Sequence, residues 1–162
     1  LYCCNVGEED LPDGNAWSKQ VAERAAREHA GIVIVCGKIE AELAGMTDDE
    51  KKELLAAYGL KEPALHSLAR ECYRLLGLRS YFTAGEKEIR AWTIRAGACA
   101  PEAAGVIHTD FEKGFIRAQV YSLADLEQHG SEAALKAVGK LRMEGKSYVV
   151  EDGDIMHFLF NV

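Results

Sequence analysis

No long apolar run occurs in this chain: its longest aliphatic stretch, Ile32 to Cys36, falls far short of the roughly 20 residues a bilayer-spanning helix needs. No membrane partner is expected. The five cysteines, Cys3, Cys4, Cys36, Cys72 and Cys99, are odd in number and nowhere spaced C-x-x-C. Neither a disulfide framework nor a zinc site is written there, and a reducing, cytoplasmic setting is expected. The sequence has no G-x-x-x-x-G-K-[ST] stretch, hence no loop of backbone amides to cradle phosphates and no Lys to neutralise them. Positive charge is also short, with a net charge of −7. Duplex binding draws most of its affinity from phosphate neutralisation, so strong independent binding to nucleic acid is not expected. Leu1 opens on a strand-like segment with no Met, basic region or cleavage site, so no signal peptide is expected and the start reads as a cut in a longer chain.

What is present is the composition of a globular protein, 48% hydrophobic and 28% charged, well mixed along the chain. Leu1 to Cys4 and Ile32 to Cys36 are short unbroken apolar runs, the pattern of strands buried on both faces. Trp17, Val21, Ala25 and His29 recur every four residues between them, on one side of a helix. The result is a strand, helix, strand unit with a right-handed crossover and parallel strands. Asp13 or Asn15 can cap its helix, and Gly31 lies where the chain must leave it. Alone, such a pair of strands would present unpaired edges and apolar faces to water.

A connector follows, from about Thr47 to Leu78. Thr47, Asp48, Asp49 and Glu50 form a capping box, in which the Thr hydroxyl and the Glu carboxylate satisfy orphan amides at a helix start. That helix stops at Gly59. Beyond Pro63 a second helix carries Leu65, Leu68, Ala69, Cys72, Leu75 and Leu76 as a single apolar stripe, expected to lie against the sheet, and closes at Gly77. Arg70, Arg74, Arg79, Lys87, Arg90 and Arg95 gather near this junction, ordinarily a solvated face.

From Ser80 the pattern turns to strands. Tyr81 to Ala84 and Ile89 to Ile94 flank a polar turn and predict a hairpin. Pro101 opens a helix through about His108, Ile116 to Tyr121 alternates as a strand, and Ser122 and Ser131 can each start a short helix. Tyr148 to Val150 and Ile155 to Phe160, separated by Asp152 and Gly153, predict a closing hairpin. A ubiquitin-like β-grasp is the simplest architecture. Trp92, Tyr81, Phe82, Phe111 and Phe115 are read as core rather than as a base-stacking platform, and His108, Thr109 and Asp110 as capping groups rather than catalysts or metal ligands.

The most chemical feature is Asn5-Val6-Gly7-Glu8 at the end of the first strand. In open α/β sheets ligands sit beyond the carboxyl ends of the strands, so the residues after Cys4 and Cys36 converge on one crevice. The stretch resembles the Asn-Lys-x-Asp motif of ordinary GTPases, whose carboxylate accepts the N1–H and 2-amino donors of guanine. Adenine has an acceptor at N1 and no 2-amino group, so an ionised Asp there leaves its acceptors unpaired at a cost of roughly 1 to 3 kcal/mol. Here Val6 replaces the Lys and can lie against a base. Glu8 replaces the Asp, on a longer stem that can turn its carboxylate away. Asn5 offers both a donor and an acceptor to a purine edge. Adenine is at least as acceptable as guanine.

These residues carry a resemblance. The stretch SYFTAGEKEIRAWTIRAGACAPEAAGVIHTDFEKGFIRA, from Ser80 to Ala118, resembles the opening of the C-terminal TGS domain of the YchF/Obg-like nucleotide hydrolases. LYCCNVGEEDLPDGN resembles that family's base-recognition strand with its Asn-x-x-Glu motif, and DGDIMHFLFNV its C-terminus. The resemblance implies an α/β fragment of a P-loop NTPase G domain over residues 1–46, a helical connector over 47–78 and an α+β, β-grasp TGS domain over 79–162. It implies that Asn5, Val6 and Glu8 recognise the base, with Cys36 and Gly37 in the place of the fifth GTPase motif, commonly Ser-Ala. It further implies ATP or GTP with Mg²⁺ as the ligand of an intact parent whose P-loop lies in a missing N-terminal segment, this chain alone being inactive. A ribosome or translation factor is the implied partner of the TGS domain. The alternative is a non-catalytic TGS module that binds the ribosome under nucleotide control.

Overall fold

The computed structural model describes residues 1–85 and 88–161, which divide into a compact unit Leu1–Leu76 and a second that begins at Gly77. In the first unit, β1 (Tyr2–Asn5) and β2 (Ile32–Val35) pair in parallel, with Asn5 opposite Val35. The helix between them, α1 (Ala16–Arg27), starts where the Asn15 side chain accepts the Trp17 and Ser18 amides, a cap worth about 1 kcal/mol. Asn15 also donates from Nδ2 to Asp10 Oδ2 at 2.7 Å, which ties the helix start to a short 3₁₀ turn, Glu8–Asp10.

Three expectations fail in this unit. β1 and β2 are not buried on both faces: Cys3 and Asn5 are exposed and only Val33 and Val35 of β2 are buried, because two strands and their neighbouring helices cannot enclose both sides of a sheet. Trp17 does not face inward either, being 75% exposed. Ser18 and Ala25 take the buried positions, small side chains that let the helix approach the strands. The helix ends before Gly31, at Arg27, and His29 takes the left-handed turn at φ 52.

After β2 the chain forms α2 (Gly37–Leu43) and α3 (Asp48–Ala57). Ile39, Leu43 and Leu55 pack with Cys36 into a small core. The Thr47 and Glu50 capping box is present, with the Glu50 carboxylate accepting the Thr47 amide at 2.7 Å. The chain leaves α3 at Gly59, whose φ of +69 suits a residue without Cβ. The helix that follows, α4 (Ala64–Leu75), has no buried residue. It contacts β2, yet Leu65, Leu75 and Leu76 of its apolar stripe are exposed.

The second unit is a five-stranded mixed sheet in the order β4-β3-β7-β5-β6. Its strands are β3 (Leu78–Ala84), β4 (Ile89–Arg95), β5 (Phe115–Ser122), β6 (Arg142–Glu144) and β7 (Asp154–Phe160). β3 and β4 form the expected antiparallel pair. β7 lies between β3, to which it is parallel, and β5, to which it is antiparallel. The closing hairpin therefore does not exist. Tyr148 to Val150 forms no strand with β7, and Val149 instead bridges to Cys99. The Asp152-Gly153 turn remains, with Gly153 at φ +86, because both neighbours of β7 are already supplied by distant strands.

The helix α5 (Ala100–Ile107), with Pro101 in its first turn, packs on this sheet through Ala100, Ala103 and Ala104, all fully buried. Alanines permit close approach, and Tyr81 uses it to donate from its hydroxyl to the Ala103 carbonyl at 2.8 Å. Tyr81, Phe158, Val120 and Met156 share the core. After α6 (Thr109–Lys113), the helices α7 (Leu123–His129) and α8 (Glu132–Ala137) start at Ser122 and Ser131, whose hydroxyls accept the Asp125 and Ala134 amides.

Met156 is 1% exposed, so Met156→Ala is expected to lower the stability of the second unit by about 2 to 5 kcal/mol. Trp17→Ala is expected to change stability by less than about 0.5 kcal/mol. Urea denaturation followed by circular dichroism checks both.

Candidate functional site

Parallel pairing carries the carboxyl ends of β1 and β2 to the same edge, and there the side chain of Asn5 meets the start of α2. Its Oδ1 accepts the Gly37 amide at 3.0 Å. That amide is one of the donors a helix start leaves without an internal partner, so the bond fixes the Asn5 carboxamide. One Oδ1 lone pair and the NH₂ group stay open, enough to meet an acceptor and a donor on a purine edge. A Cβ at Gly37 would meet Asn5 Oδ1 at 3.5 Å, an ordinary contact. Alanine there would keep this arrangement.

Val6 continues the edge, its amide donating to the Val35 carbonyl at 2.8 Å. Cys36 precedes α2 as its N-cap and is buried. Gly7, extended at φ −74 and ψ 166, turns the chain into the 3₁₀ segment that carries Glu8. The five positions singled out by the sequence, Asn5, Val6, Glu8, Cys36 and Gly37, thus stand at the ends of adjacent strands.

Two further residues join them that no spacing in the sequence marks. Lys38 Nζ lies 2.6 Å from Glu8 Oε2, and the Tyr58 hydroxyl donates to Glu8 Oε1 at 2.8 Å. Lys38 is the second residue of α2, and Tyr58 caps the end of α3 and packs against the Cys36 core. The Lys38 ammonium and the Tyr58 hydroxyl together hold the Glu8 carboxyl below its ordinary value. Glu8 in return raises the values of both partners. At neutral pH the group is a carboxylate with one oxygen bound to each partner.

The remaining candidates have structural roles. His108 Nδ1 accepts the Asp110 amide at 3.2 Å and caps α6. Among the described residues no group of three or more His, Cys, Asp or Glu could hold a metal ion, and all five cysteines are free. Cys3, expected to be packed, is exposed. Of the aromatics, Tyr81 and Phe115 are buried and Trp92 and Phe111 pack against the core, while Phe82, expected in the core, is exposed, its side chain alternating with Tyr81 to the other face of β3. Arg70 pairs with Glu62 and Arg74 with Glu71. In the second unit Arg79 donates to the Val150 carbonyl and Arg90 lies over the Trp92 ring. Lys87 of the basic group lies outside the described residues. No described helix is long and apolar enough to cross a membrane.

Comparison with known proteins adds an independent line. A family model described as YchF-GTPase_C, a protein of unknown function (DUF933), matches residues 78–161. The chain is similar to the ribosome-binding ATPase YchF of Pasteurella multocida, 52% identical over 162 residues, all of this chain and 44% of that protein. It is similar also to the ribosome-binding ATPase YchF of Escherichia coli O157:H7, 51% identical over the same length and share. Among solved structures, that of the Schizosaccharomyces pombe YchF GTPase superposes with a TM-score of 0.84 at 35% identity, covering 98% of this chain and 43% of that one. The chain spans less than half the length of these relatives. With a family model that covers about half of it and likeness along its whole length, the chain belongs to the YchF family.

Proposed function

We propose that this chain supplies the purine-recognition edge of a cytoplasmic nucleotide hydrolase together with a β-grasp TGS module that docks on the ribosome or a translation factor. The observation that carries the first half is the convergence of Asn5, Gly37 and Glu8 at the carboxyl ends of two parallel strands. Asn5 orients the base through its carboxamide, Val6 lies against the ring, and Cys36 and Gly37 present the start of α2 beside it. ATP is the favoured ligand and GTP the second, with Mg²⁺ in the intact protein. The triphosphate and the metal are gripped outside these 162 residues, since the sequence has no G-x-x-x-x-G-K-[ST] loop and hydrolysis depends on one.

The second half draws on the strand order β4-β3-β7-β5-β6, with β3 and β7 parallel in the middle and α5 packed on the sheet, which supports a β-grasp. Residues 1–46 belong to a G domain, 47–78 to a connector and 79–162 to the TGS domain. The relatives named ribosome-binding ATPases support the ribosome as partner. A second reading, a non-catalytic ribosome-binding module under nucleotide control, is favoured by the family match to residues 78–161, which leaves the purine edge outside it.

Titration of the isolated chain with labelled ATP is expected to give no saturation below about 1 mM, because the phosphate contacts are absent. A micromolar constant would refute the division of labour. Co-sedimentation with ribosomal subunits is expected at low salt and to fall as salt rises. Absence of the chain from the pellet even at low salt would count against an autonomous docking module.

A further inference from the structure

On the purine-edge reading Glu8 stands where ordinary GTPases place the carboxylate that selects guanine, and each of its oxygens already accepts a hydrogen bond. Oε2 is bound to Lys38 at 2.6 Å and Oε1 to Tyr58 at 2.8 Å. These partners arrive from different elements, 30 and 50 residues away in sequence. Both are placed firmly: Lys38 follows Gly37, which the Asn5 side chain holds, and Tyr58 packs against the core beneath α2. The side chain of Lys38 is 66% exposed and that of Glu8 29%, so the ion pair adds little to stability. Its effect lies in which lone pairs it leaves open.

We propose that Lys38 and Tyr58 are positioning residues that strengthen a preference for adenine by each holding one Glu8 oxygen. The inference rests on the purine-edge reading given above. Guanine presents two neutral donors, N1–H and the 2-amino group, and to meet them side by side Glu8 must turn from the ammonium and the phenol that hold it or share its oxygens with them. A guanine donor on Glu8 would be charge-assisted through the carboxylate, as the Tyr58 bond already is, but it cannot replace the opposite charge of Lys38, so loosening that contact runs against guanine. Adenine asks nothing of Glu8, having no donor at N1 and no 2-amino group. The carboxamide of Asn5, a donor and an acceptor, suits N7 and the 6-amino group of adenine, where guanine offers two acceptors. Lys38 and Tyr58 add to that preference through Glu8, and a Glu at this position is not by itself sufficient for it.

The test is NMR of the isotope-labelled chain with adenosine and guanosine as probes, which need no phosphate grip. In the native chain adenosine is expected to shift the Asn5, Val6 and Gly37 amides at lower concentration than guanosine does. In a Lys38→Met, Tyr58→Phe double variant the Glu8 carboxyl should titrate at higher pH, and the affinity ratio of guanosine to adenosine should rise about tenfold. Lys38→Arg, which keeps a charged donor, should retain the native ratio. Lys38→Met alone, at an exposed side chain, should raise the ratio in the same direction and serves if the double variant loses its fold. A carboxyl released by its titration but an unchanged ratio would overturn the clamp while leaving the purine edge intact. Failure of either nucleoside to shift those amides in the native chain would overturn the edge and the clamp together.

Discussion

The bond from the Gly37 amide to Asn5 Oδ1 is the joint on which the candidate site depends. It exists because parallel pairing sets Asn5 level with Val35, so that the chain leaving β2 starts a helix beside the end of β1. A helix start has amides to satisfy, and a strand end has a side chain free to satisfy one. The same helix start then brings Lys38 to Glu8, and the core under α2 brings Tyr58. One local requirement, an unpaired donor at the first turn, organises four side chains from three segments of the chain.

Much of this was legible in the sequence where the governing physics is local. Asn15, Thr47 with Glu50, Ser122 and Ser131 all cap the helices they precede, because a side-chain oxygen three residues before an amide needs no tertiary context. Gly59 and Gly77 end helices in left-handed conformations for the same reason. The residues that meet beyond the ends of β1 and β2, Asn5 and Gly37, were also legible, since strand ends can be found from apolar runs alone. Their number was not. Lys38 and Tyr58 resemble any surface Lys and any helix-end Tyr until the fold sets them against Glu8.

Where the reading failed, long-range competition decided the outcome. A Gly-containing turn between two apolar runs suggests a hairpin, yet β7 finds β3 and β5 as partners and Tyr148 to Val150 is left with one bridge to Cys99. Periodicity placed Trp17 on the buried side of α1, but the smaller Ser18 takes the buried place one position on, while Ala25 of the same stripe is buried as expected. The stripe on α4 likewise predicts burial that β2 alone does not provide. Apolar spacing says which side chains could share a face; it does not supply the surface that covers them.

The position of β7 has a consequence for how the second unit is made. It is the last strand of that unit in sequence and the middle strand in space, flanked by β3 and β5. Until it emerges, β3 with β4 and β5 with β6 are two strand pairs with no common seam. Their apolar faces have only α5 to close on, because Met156 and Phe158 belong to the absent strand. A nascent chain thus carries this unit unfinished through nearly all of its synthesis, and such late, non-local closure is slow and exposed to mispairing.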